Sequence, residues 1–125
     1  MRWDEVDVVV PKGDKLELLF RKQRFLMEKY GIKVLDINTK EGQNVIRATI
    51  MHLIEELGEI THCLKNKPWV NYETLVDKNA MYDEVADSLH FFLEIMLLLG
   101  INSNSLTELY LKKNKINLER IKSGY

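Results

Sequence analysis

The chain has 125 residues, 46% of them hydrophobic, with a single cysteine, Cys63, and a formal net charge of -1. That length suits one domain. The near-balance of charge gives no support for a nucleic-acid or membrane-surface binder, and one cysteine excludes an internal disulfide framework and fits a reducing compartment. The opening "MRWDEVDVVVPKGDK" lacks the pattern of a signal peptide. The apolar run from Phe91 to Leu99 is interrupted by Glu94 and too short for a bilayer, which takes roughly 20 apolar residues. A soluble, cytoplasmic protein is expected, with no membrane and no nucleic-acid partner.

In chain order, residues 1–13 form an extended N-terminal segment: "VDVVV" is a β-like run that "PKG" ends. The domain then occupies residues 14–125. Asp14 is a good N-cap for a first helix, "KLELLFRKQRFLMEKYG", whose apolar residues Leu16, Leu19, Phe20, Leu26, Met27 and Tyr30 recur at three and four and which stops at Gly31. After "KVLDINTKEG" a second helix spans about residues 43–65, with Ile46, Ile50, Leu53, Leu57, Ile60 and Leu64 as one stripe. "NKPW" ends it, and "VNYETLVDKNAM" reads as either a short helix or a loop. A third helix covers about 81–99 and a fourth about 105–121, after a cap in "NSNS". The fold class is all-α, a bundle of four to five helices.

The third helix poses a question. At about 100° per residue, Glu84 and Asp87 continue the stripe of Phe91, Ile95 and Leu98 instead of opposing it. A buried carboxylate is costly unless it is paired, protonated or bound to a metal. Asp83 falls on the exposed side. On the second helix, "EELGE" places Glu56 and Glu59 three apart beside the apolar stripe, with Glu55 pointing away. Two packed helices, each with an acid pair, would gather oxygen donors suited to Mg²⁺. Helix-terminal acids favoured by the dipole are the plain alternative. A di-iron reading through Glu59-x-x-His62 and Asp87-x-x-His90 is weaker, because His62 falls roughly 120° from Glu56.

"EELGE" and "EVAD", with residues 60–83 between them, resemble the EExxE…ExxD pattern of the all-α nucleoside triphosphate pyrophosphatases, the MazG-like and dimeric dUTPase superfamily. "KNKPW" is similar to the Lys/Trp segment of dimeric dUTPases, and "ADSLHFFL" to their VDxLHF stretch. "YLKKNKINLERIKSGY" resembles their closing KNxxNxxRQxxGY motif and the end of the phage dCTPase–dUTPases, with Ile121 in place of the glutamine. "KQRFL" is similar to their early glutamine-bearing helix.

The resemblance implies a Mg²⁺-dependent hydrolase (Mn²⁺ can substitute) that cuts dUTP or dCTP between the α- and β-phosphates and works as a homodimer. Glu56, Glu59, Glu84 and Asp87 would hold the metal, with Glu56 or Glu59 orienting or deprotonating the attacking water. Lys113, Asn114, Asn117 and Arg120 would grip phosphates, and Gln23, Trp69, His90 and Phe91 would line the base pocket. Two alternatives stand beside it: a MazG-like house-cleaning pyrophosphatase for another nucleotide, and a non-catalytic helical dimerisation module.

Overall fold

The computed structural model describes residues 2–124 and is all-α. After a single 3-10 turn at Trp3–Glu5 it contains α1 (Lys15–Tyr30), α2 (Lys40–Cys63), α3 (Lys78–Leu98) and α4 (Ser103–Lys122). The "VDVVV" run is extended but pairs with nothing: no strand forms among the described residues. Trp3 rests edge-on against Tyr82 of α3, with ring centroids 6.5 Å apart. Tyr125, the last residue of the closing motif, lies outside the described residues.

Local chemistry fixes each helix end. The Asp14 carboxylate accepts the Glu17 N–H at 3.0 Å, satisfying one of the orphan donors of the first turn. Gly31 ends α1 at φ 72°, and the next N–H, from Ile32, reaches back to the Met27 carbonyl at 2.9 Å. This is the Schellman arrangement, completed by Ile32 packing on the core. α2 begins three residues before the sequence-based boundary, because Thr39 caps it by accepting the Gly42 N–H at 3.0 Å. Gly42 belongs to the first turn: a Cβ there would stand 2.1 Å from the Asp36 carbonyl oxygen. The ambiguous stretch divides: residues 70–76 are loop, Asp77 is the N-cap, and residues 78–81 form the first turn of α3, three residues earlier than the sequence-based boundary. Asn102 and Ser105 form a capping box that starts α4 at Ser103.

The core lies at one end of the molecule. Phe20 and Met27 of α1 and Ile46 of α2 close on Leu93, Met96, Leu97 and Leu98 of α3. α2 and α3 form the main packed pair and α1 covers α3. The apolar stripe expected on α2 divides along its length. Ile46 is buried, but Ile50, Leu57 and Leu64 remain exposed. The inward line of α2 is Gly42, Ile46, Thr49, Leu53 and Glu56, the first three buried and the last two half-buried. On α1, Leu19 and Tyr30 turn outward, and the inward place between Phe20 and Met27 belongs to Gln23. α4 docks only by its beginning, where the Ser103 hydroxyl donates to the Glu17 carboxylate and Leu106 meets the core. From Thr107 onward every described residue of α4 is exposed.

Candidate metal centre

Facing positions on α2 and α3 pair in antiparallel order. Glu94 and Thr49 are both buried at one level, with the Thr49 hydroxyl donating to the Val45 carbonyl of its own helix at 2.9 Å. One turn further, His52 stacks on Phe91 with centroids 5.4 Å apart. A turn beyond that, Glu56 meets Glu84 and Asp87. The packing that builds an apolar core at one end therefore delivers carboxylates at the other.

One oxygen from each of Glu56, Glu84 and Asp87 lies within 4.8 Å of the other two, and all three residues are half-buried. Like charges this close disfavour ionisation. The Glu56 carboxyl is accordingly raised to about 7, chiefly by a hydrogen bond with Glu84, which requires a proton between the two groups. Burial and the charges of Asp87, Glu84 and Glu59 act in the same direction. Burial is the main cause that lifts Asp87, followed by Asp83 and Glu84. Asp83 is therefore not the exposed bystander expected from helix geometry; it is half-buried and adds to the repulsion.

No salt bridge neutralises this trio among the described residues. Three hard oxygen donors with an excess of negative charge and a shared proton match what a divalent cation such as Mg²⁺ displaces and replaces. The donor set fits that ion.

The remaining expected residues are placed as follows. Glu59 stays outside the trio with an exposed side chain, but it lines a hollow of about 320 Å³ together with Glu84. His62 is exposed, with Nδ1 3.9 Å from the Glu59 carboxylate. His90 turns to its own helix, Nδ1 lying 2.8 Å from the Ala86 carbonyl oxygen. Neither histidine joins the acids, so the di-iron arrangement is not formed.

Of the four base-pocket residues, His90 and Phe91 stand next to the trio, each one helical turn from Asp87 on α3. Gln23 is buried on α1 with its Oε1 lacking a hydrogen-bond partner. Trp69 is 76% exposed on the α2–α3 loop. Lys113, Asn114, Asn117 and Arg120 ride on α4, which among the helices touches only α1; the structure does not bring them to the acids of their own chain. Thr49 and Glu94, both buried, and His52, exposed but stacked on Phe91, are partners across the α2–α3 interface that periodicity did not single out. Their signal is in the sequence: Thr49, His52 and Glu56 share the face on which Ile46 and Leu53 lie.

The fold and site define an all-α protein with a carboxylate cluster between two antiparallel helices. Comparison with protein-family models, with curated proteins and with solved structures finds no match to this chain.

Proposed function

We propose that the protein is a Mg²⁺-dependent nucleoside triphosphate pyrophosphatase acting on dUTP or dCTP as a homodimer. The observation that carries this reading is the half-buried trio Glu56, Glu84 and Asp87, whose oxygens lie within 4.8 Å of one another with no salt bridge to any of them among the described residues. Such a cluster is an unfavourable way to fill a helix interface unless it serves a cation. The resemblance of "EELGE", "EVAD" and "KNKINLERIKSGY" to the dimeric dUTPases supplies the nucleotide.

Glu56, Glu84 and Asp87 would hold the metal. Bound there, Mg²⁺ supplies charge neutralisation for the triphosphate and acidifies a bound water. Glu59, outside the trio and beside the same hollow, takes or orients the proton of the attacking water. The oxygen of that water bonds to the α-phosphorus as the bond to the bridging oxygen breaks, releasing the monophosphate and pyrophosphate. Phe91, packed beside the acids, offers an apolar face to the base.

Two features support the homodimer. α2 and α3 expose the large apolar side chains Ile54, Leu57, Val85, Leu89 and Phe92, which a partner surface would cover. Lys113, Asn114 and Asn117 ride on exposed turns of α4 away from the trio of their own chain; in a homodimer they would serve the acids of a second copy. The test is a screen of dUTP, dCTP, dTTP and the four common ribonucleotides for pyrophosphate release, with and without Mg²⁺. Turnover of dUTP or dCTP over dTTP is expected. Preference for another nucleotide points to a house-cleaning pyrophosphatase, and no turnover of any overturns the enzyme reading.

A further inference from the structure

The α2–α3 loop is a shaped element. Leu64 caps α2, and Lys65 is the first residue beyond. Asn66 then staples the loop shut: its amide donates to the Thr74 carbonyl at 3.1 Å and its carbonyl oxygen accepts the Thr74 N–H at 2.6 Å. Two hollows flank the closure. The first, of about 320 Å³, is bounded by Glu59, His62, Lys65, Asp77 and Glu84 among others, and so borders the carboxylate trio. The second, of about 740 Å³, is bounded by His62, Lys65, Lys67, Trp69 and Tyr72 among others. His62 and Lys65 line both and form the divide between an acidic chamber and a cationic, aromatic one.

The three basic side chains of this region are differently committed. His62 leans toward Glu59, and Lys67 lies over the Trp69 ring with Nζ 5.5 Å from its centroid. Lys65 forms no ion pair among the described residues, although acids line the hollow it borders. The α2 C-terminus also directs its negative dipole end toward this position, which by itself repels a phosphate. A cation directly after the cap offsets that repulsion.

We propose that Lys65 is a phosphate-binding residue acting within its own protomer: it draws the β- and γ-phosphates of the substrate onto the divide between the two hollows. This rests on the pyrophosphatase reading above. When the bond between the α-phosphorus and the bridging oxygen breaks, its electron pair leaves on that oxygen, and the Lys65 ammonium neutralises the charge gained by the departing pyrophosphate. No proton needs to move at Lys65. The cation is thus supplied in cis by the loop, in addition to the α4 residues of a second copy.

The test compares the full-length wild type with Lys65→Met and Lys65→Arg. For the nucleotide the wild type hydrolyses, Lys65→Met should lower kcat/KM by about 10- to 100-fold, the range of a charged hydrogen bond. It should weaken product inhibition by inorganic pyrophosphate by a similar factor. Lys65→Arg should recover most of both, and the melting temperatures of all three should agree, since the side chain is exposed. Unchanged kcat/KM and unchanged inhibition in Lys65→Met, with an active wild type, overturn the role of Lys65 and leave the pyrophosphatase reading standing.

An inactive wild type overturns that reading instead. Lys65 is then decided by titrating inorganic pyrophosphate against Trp69 fluorescence in a Trp3→Phe background. Quenching that is lost in Lys65→Met supports the phosphate site, and absent or unaltered quenching rejects it.

Discussion

At the scale of single residues, Glu56 carries the clearest electrostatic consequence. Its carboxyl is raised to about 7 in the folded protein from an ordinary value of 4.5, so the folded state holds this proton more tightly than the unfolded chain does. The stabilisation is fully present below the ordinary value and is lost as pH rises through about 7. The metal-free protein should therefore melt at progressively lower temperature between about pH 5 and pH 8, and Glu56→Gln should flatten that slope. A melting temperature that climbs across the window contradicts the proton-sharing trio. Glu84→Gln removes one of the repelling charges while keeping the shape. It should abolish pyrophosphate release and leave the melting temperature unchanged or higher; unfolding of this variant would make Glu84 a structural partner. Gln23 offers a separate measure, because its Oε1 is buried without a partner. Such an orphan costs about 1–3 kcal/mol, so Gln23→Leu should raise the melting temperature.

At the scale of elements, the ends of helices were more legible than their faces. Asp14 and Gly31 bound α1 as the residue types require, because caps are local chemistry. Gly42 misled for a physical reason: glycine in "TKEG" reads as loop, yet here it sits in the first turn of α2 to let the Asp36 carbonyl approach. Gly42→Ala should gain helix propensity of up to about 1 kcal/mol and lose more to the clash, for a net destabilisation of about 1–2 kcal/mol measured by denaturant unfolding. Of the expected apolar stripe of α2, Ile46 is buried and Leu53 and Ile60 half-buried, while Ile50, Leu57 and Leu64 are exposed, since periodicity marks a wide apolar face without fixing which edge of it a neighbour covers. The convergence of Glu56 with Glu84 and Asp87 was legible because both acid pairs lay at stripe spacing. The outward turn of Glu59 and the half-burial of Asp83 were not, since they depend on the relative rotation of α2 and α3. Nothing in the local sequence of α4 reveals that it leaves the body after its first turns, because that direction is set by the Ser103–Glu17 contact across the fold.

At the scale of the whole molecule, the structure is lopsided. An apolar core closes one end, a charged cluster occupies the other, and α4 extends largely uncovered. No described helix is long and apolar enough to cross a membrane. In the proposed homodimer, a second copy would cover the exposed apolar residues of α2 and α3 and would bring α4 residues to the acids. Sedimentation should give a particle of twice 14.7 kDa, and Leu89→Lys on the exposed face of α3 should shift it to the monomer and lower turnover with it. A wild type that is monomeric and active contradicts the supply of phosphate contacts by α4. The central claim is that the trio between α2 and α3 is a divalent metal centre. It is tested most directly by calorimetric titration of Mn²⁺ into wild type and Glu84→Gln at pH 8, where Glu56 is mostly ionised. The account predicts saturable binding to the wild type and its loss in Glu84→Gln; no binding to the wild type, or equal binding to both, would contradict it.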